Sequence, residues 1–147
     1  MSQVRELLRT KSADLVTVEP NTDVGNAVRL LQRHNIGGLP VVEPDGQLVG
    51  FLGERDVIRA LDRNIDTVRG LPVSSVMEAP PTCSPDDSLQ EVMGRMTRER
   101  HRHLLVLEGG RLSGILSIGD LVKHRLDQLE METGVLRDYV VASRART

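Results

Sequence analysis

Aromatic residues are almost missing from this chain of 147. They make up 1% of it, with no Trp, one Tyr and one Phe. A core must therefore be built from Val, Leu, Ile, Ala and Met. Stacking of unpaired bases on aromatic platforms, the usual basis of single-strand nucleic-acid binding, is nearly excluded. Charge of one sign is also missing: 19 Lys and Arg stand against 21 Asp and Glu, a net charge of −2. No strong electrostatic case exists for DNA, RNA or an anionic lipid surface as partner. The single cysteine, Cys83, cannot form an internal disulfide. There is no signal peptide and no apolar run long enough to cross a bilayer, the pattern expected of a soluble cytoplasmic protein.

Catalytic signatures are equally sparse. Neither Gly-x-x-x-x-Gly-Lys-Ser/Thr nor Gly-x-Gly-x-x-Gly occurs, and there is no His-Glu-x-x-His. Cys83 has no evident partner and reads as a structural thiol rather than a nucleophile. The four histidines, His34, His101, His103 and His124, lack the Cys or carboxylate spacing that would complete a zinc set. On an extended segment, His101-x-His103 would also turn its two rings to opposite faces. The expectation is no catalysis and no metal.

What the sequence does contain is a repeat. The run Ile36-Gly37-Gly38-Leu39-Pro40-Val41-Val42 through Leu48-Val49-Gly50-Phe51-Leu52-Gly53-Glu54-Arg55-Asp56 returns as His101-Arg102-His103-Leu104-Leu105-Val106-Leu107 through Leu112-Ser113-Gly114-Ile115-Leu116-Ser117-Ile118-Gly119-Asp120. Pro20 and Pro85 stand 65 apart, and Asp56 and Asp120 stand 64 apart. Each copy is one supersecondary unit that cannot bury its apolar face alone. With only two copies, a closed pseudo-symmetric pair is favoured over an open solenoid.

Periodicity places the elements within each copy. Val4, Leu7 and Leu8 share one face of a helical lead-in over residues 1–10. Leu15–Val18 reads as a short strand stopped by Pro20. A helix starting near Thr22 or Asp23 carries the stripe Val24, Ala27, Val28 and Leu31 and ends at Gly37-Gly38. Leu39–Val42 and Leu48–Leu52 form a hairpin turned by Pro44-Asp45-Gly46, and a helix follows over Glu54–Leu61. After the connector 64–72 the order recurs. The second copy has a lead-in at Val73–Met77, a short extended segment at Thr82-Cys83 and a Ser88/Glu91 capping box. A helix striped by Leu89, Val92, Met93 and Met96 follows, then a hairpin over Leu104–Leu107 and Leu112–Leu116. The fold class is α+β: strand, helix, strand, strand, helix in each copy (residues 1–66 and 67–124). A long helix then runs from Leu121 to about Ser143, within a C-terminal extension over 125–147. Its Val122, Leu126, Leu129, Thr133, Leu136 and Val140 alternate by four and three like a heptad seam, interrupted by Gly134. This helix either caps the chain's own core or pairs with a second subunit.

The pattern of Pro-Val-Val, an acidic residue, a Gly turn, Leu-Val-Gly and a hairpin ending in Gly114-x-x-Ser117-x-x-Asp120 resembles the CBS domain. The resemblance runs from Val4 to Val122 in two tandem copies, the arrangement of a stand-alone Bateman module. It implies two copies packed about a pseudo-two-fold axis, with two clefts between them for adenosine-containing ligands such as AMP, ADP, ATP or NAD(H). The resemblance places Asp120 and Asp56 as ribose acceptors, and a carboxylate, being acceptor-only when ionised, suits a diol. In one cleft it joins Asp120, Ser117, Arg102 and His103 to Ser12, Ala13, Leu15 and Ile36. In the other it joins Asp56 and Arg55 to Met77, Ala79, Thr82 and His101. The first copy departs from the pattern at Gly53, where the second has Ser117, and at Gly37-Gly38, where the second has Arg102 and His103. The Asp120 cleft is therefore expected to be the better phosphate site. Ser117-x-x-Asp120 also reads as a helix capping box, a role compatible with ligand binding. The function implied is a non-catalytic, homodimeric nucleotide sensor acting on an unidentified regulated partner. The alternative is a dimeric scaffold whose clefts are vestigial.

Overall fold

In the computed structural model, residues 2–11 and 15–145 are described, with side chains as far as Gly134. The chain runs through α1 (Val4–Thr10), α2 (Val24–His34), β1 (Gly38–Val42), β2 (Leu48–Gly53) and α3 (Glu54–Arg63). Two single 3-10 turns, Val68–Gly70 and Val73–Ser75, lead into the second copy. That copy comprises β3 (Thr82–Cys83), α4 (Leu89–Glu99), β4 (His103–Glu108), β5 (Arg111–Ser117) and α5 (Ile118–Ala145). Both hairpins are antiparallel, β1 with β2 and β4 with β5, and β3 adds to β4 in parallel.

The strand expected at Leu15–Val18 shrinks to one bridge, between Val18 and Val41. The cause is local chemistry. In the second copy the Leu105 N–H donates to the Pro81 carbonyl at 2.8 Å, and the equivalent position in the first copy is Pro40, which has no N–H to give. The expected helix stop at Gly37-Gly38 also moves. Helix α2 ends on Asn35 and α4 on Arg100, both left-handed, with φ of +52° and +58°. The expected capping bond from Ser88 Oγ is present, accepting the Glu91 N–H at 3.1 Å.

Each lead-in packs in the other copy's core. Val4 and Leu7 of α1 are buried among Leu89, Val92, Met96, Leu104, Val106 and Leu116 of the second copy. Val73, with Val76 and Met77, packs among Ala27, Leu31, Leu39, Val41 and Leu52 of the first. Matching backbone bonds fix the exchange: Val4 N–H to Asp87 carbonyl at 2.9 Å, and Val73 N–H to Thr22 carbonyl at 2.8 Å. Two glycines permit it. A Cβ on Gly114 would lie 2.6 Å from Leu8 Cδ2, and one on Gly50 would collide with Met77. The sequence copies are therefore not the packing units, because each hairpin is closed by the segment that precedes its twin.

Helix α5 begins three residues earlier than expected and runs through Gly134 without a break. Leu121 is buried in the second core, whereas Val122, Leu126 and Leu129 are exposed. The first turn caps the domain and the remainder carries an open apolar seam. Leu136 and Val140 of that seam have side chains outside the described residues.

Candidate functional site

The two hairpins end at the starts of α3 and α5, and a carboxylate sits in the first turn of each. At α5 the capping box is reciprocal. Asp120 Oδ2 accepts the Ser117 N–H at 2.8 Å and the Asp120 N–H donates to Ser117 Oγ at 3.1 Å. At α3 it is half a box. Asp56 Oδ2 accepts the Gly53 N–H at 2.8 Å, and Gly53 has no hydroxyl to return. Both carboxylates thus do the structural work read for Ser117-x-x-Asp120.

Their surroundings differ. Asp56 is 3% exposed, and its Oδ1 has no hydrogen-bond partner within 3.5 Å among the described residues. The Arg59 guanidinium lies 3.7 Å from that oxygen, beyond hydrogen-bonding range. Asp120 is partly exposed and paired: Lys11 Nζ is 2.6 Å from Asp120 Oδ2 and 2.6 Å from the Ile115 carbonyl oxygen.

A cavity of about 500 Å³ lies between the copies. It is walled on one side by Arg55, Asp56 and Arg59 with Glu78, and on the other by Arg100, His101, Arg102, His103 and Ser117. Six of the residues expected in the clefts meet here: Arg55, Asp56, His101, Arg102, His103 and Ser117. They come from both expected sets, so Arg102 and His103 share a cavity with Asp56. Both His101 and His103 face it, contrary to the opposite-face expectation. The segment is not extended there, because left-handed Arg100 turns the chain and the strand starts only at His103. His103 also packs on Phe51, the one Phe, with ring centroids 5.3 Å apart.

The remaining expected residues lie elsewhere. Ile36 and Met77 pack against the first core. Thr82 is in β3, its carbonyl held by Arg95 at 2.9 Å. Leu15 and Ala79 are exposed. Ser12 and Ala13 lie outside the described residues. Sequence reasoning missed Lys11, Glu78, Arg59 and Arg100. Glu78 stood between two chosen residues, Met77 and Ala79, and Lys11 directly precedes Ser12, so the signal was adjacency to the lead-ins.

Burial pushes the Glu78 carboxyl above its ordinary range, and the neighbouring Asp56 adds to the effect through its charge and a side-chain hydrogen bond. At Asp120 burial pulls upward, but Lys11 and the Ser117 groups outweigh it and hold the carboxyl low. Burial lowers His103 despite Asp120 and Glu54 nearby, favouring the neutral ring. Burial drives the Cys83 thiol to about 11, so at neutral pH it is a packed thiol and no nucleophile. Among the described residues no helix is long and apolar enough to cross a membrane.

Two duplicated hairpins, each closed by the other's lead-in and each leading into a helix with a capping carboxylate in its first turn, define a tandem repeat module; of the two carboxylates, Asp56 lines the cavity between the copies. The CBS domain family model matches residues 4–63 and 73–127, and the chain belongs to that family as a tandem CBS pair. It is similar to the CBS domain-containing protein YhcV of Bacillus subtilis, 34% identical over 128 residues that span 86% of this chain and 87% of that protein. It is 33% identical over 123 residues to MJ1225 of Methanocaldococcus jannaschii, covering 82% of this chain but only 41% of that longer protein. Among solved structures, the CBS-domain protein ATU1752 of Agrobacterium tumefaciens superposes with a TM-score of 0.81 at 38% identity, over 84% of this chain and 99% of that one. CBSX2, solved in complex with AMP, superposes with a TM-score of 0.75 at 27% identity, over 86% of this chain and 98% of that one.

Proposed function

We propose that this chain is a non-catalytic sensor that binds an adenine nucleotide between its two CBS copies and passes occupancy to a partner protein. The observation that carries this reading is the inter-copy cavity itself, where the Asp56 carboxylate meets Arg55, Arg59, Arg100 and Arg102. A carboxylate accepts from a ribose diol, and the cleft's Arg55, Arg59, Arg100 and Arg102 suit phosphate. The AMP bound by CBSX2 is a ligand of that chemistry. AMP, ADP, ATP and NAD(H) all share it.

Signalling follows from differential binding. A ligand shifts an equilibrium only by its difference in affinity for two arrangements. Because each lead-in closes the opposite core, a ligand that changes how the copies meet also acts on both packing units. The exposed seam of α5, with exposed Ile58 and Leu61 on α3, offers surfaces for a homodimer or for the regulated partner. A cytoplasmic setting fits this role.

The test is a thermal-shift screen of nucleotide-free protein against AMP, ADP, ATP, NAD, NADH and S-adenosylmethionine, with guanine nucleotides as controls. Ligand at 100 times its Kd stabilises by about 2.7 kcal/mol, which raises Tm by several degrees in a domain of this size. A selective adenine response is expected. A flat response, with a dimer that forms regardless of nucleotide, would instead favour a scaffold with vestigial clefts.

A further inference from the structure

We infer that Lys11 sets the ligand charge accepted at Asp120, making that side of the module selective for phosphorylated adenosine over the uncharged nucleoside. This rests on the nucleotide-binding reading above and deepens it. Lys11 is the residue just past α1, and its ammonium is clamped between Asp120 Oδ2 and the Ile115 carbonyl, 2.6 Å from each. Asp120 Oδ2 also accepts the Ser117 N–H, so that oxygen is fully engaged. A diol that engages both oxygens of Asp120 finds Oδ2 already taken and competes with Lys11 there.

Displacement has a charge consequence. Lys11 and Asp120 are each only about a quarter exposed, with side-chain exposures of 28% and 27%. An ammonium parted from its carboxylate in such a setting needs a new anion. A phosphate supplies one, and an uncharged nucleoside does not. The long flexible stem of lysine allows the head to move between partners while its backbone stays in place. The second copy carries no such device. Leu8 and Met77 occupy equivalent positions over Gly114 and Gly50, and three residues on from Met77 stands Pro80 where the first lead-in has Lys11. Near Asp56 the lead-in contributes Glu78 instead. The two lead-ins thus place opposite charges beside equivalent carboxylates.

The experiment is titration of the full chain, and of Lys11→Met and Lys11→Arg, with AMP and with adenosine. Amide resonances of Ser117 and Asp120 would be followed by NMR so that this side is read apart from Asp56. The parent is expected to bind AMP more tightly than adenosine. In K11M the AMP affinity falls about tenfold or more, the scale of one hydrogen bond to a charged group, while adenosine binding is unchanged or tighter. K11R, which keeps the charge, retains the AMP preference, and the retained adenosine binding of K11M shows that its loss is not a folding defect. An unchanged AMP-to-adenosine ratio in K11M, or equal losses for both ligands, overturns the assignment of Lys11 while leaving nucleotide binding intact. Absence of binding of either ligand by the parent overturns both readings.

Discussion

At the start of α3, Asp56 is buried, faces Arg59 at 3.7 Å and has Glu78 as its neighbour. At the start of α5, Asp120 is partly exposed, fully capped by Ser117 and paired with Lys11. The backbones around the two match closely, down to the hydrogen bonds that seat each lead-in and the glycine that receives it. Duplication has therefore preserved the scaffold while the side chains beside each carboxylate diverged in charge. Backbone pairing is unforgiving, because a missed buried hydrogen bond or a Cβ at Gly114 has no remedy. Charge at a cleft rim is free to vary, since water screens its cost.

The exchange of lead-ins gives the largest expected effect. Leu7→Ala removes a buried side chain from the second copy's core and should cost about 2–5 kcal/mol. Val73→Ala is its counterpart in the first core. Native-state hydrogen exchange should show L7A loosening β4 and β5, and V73A loosening β1 and β2. Loosening confined to the copy that carries the mutation in sequence would contradict the exchange.

The helix ends come next. Asn tolerates the left-handed region better than Arg does, yet Asn35 and Arg100 hold equivalent positions there. Arg100→Asn should therefore stabilise by about 1 kcal/mol, a Tm rise of a few degrees. It should also weaken phosphate-bearing ligands, because Arg100 lines the cavity. A lower Tm would show that Arg100 makes contacts worth more than its backbone strain.

The smallest effects, under about 1 kcal/mol each for partly exposed charges, carry opposite signs. Glu78 is raised in the folded protein by burial and then by Asp56, so the native state holds the proton more tightly than the unfolded chain. Its ionisation costs stability as pH rises from its unfolded value through its folded one. Glu78→Gln should raise Tm at pH 7, with the gain vanishing near pH 4. Asp120 is held low in the folded protein by Lys11 and the Ser117 groups against the pull of burial. Its contribution is complete above its unfolded value and is lost as pH falls through the folded one. K11M should therefore lower Tm at neutral pH, with the deficit closing in acid. Melting curves of both variants from pH 3 to 7 check the two signs together.

The repeat made most of the fold readable. Apolar stripes located α2 and α4, and Gly turns located the hairpins, because these are local consequences of side-chain periodicity and turn chemistry. The exchange of lead-ins was not legible, since Val4 and Leu7 announce an apolar face without naming what it packs against. The missing first strand was encoded at Pro40, but only pairing with Val16 would have made that proline matter. At the site, the two capping carboxylates and the basic segment His101–His103 could be read from the repeat. Lys11 and Glu78 could not, because their partners lie 109 and 22 residues away in sequence and no local pattern links them.

The most direct test of the account is calorimetric titration of AMP into nucleotide-free parent, Asp56→Asn and Asp120→Asn, with GMP as control. Each substitution keeps the side-chain shape but replaces one carboxylate oxygen by a donor. The account predicts AMP binding to the parent in clear preference to GMP, and about tenfold or greater weakening in at least the variant whose carboxylate meets the ribose. AMP isotherms that are identical in all three proteins, or no AMP binding by the parent, would contradict it.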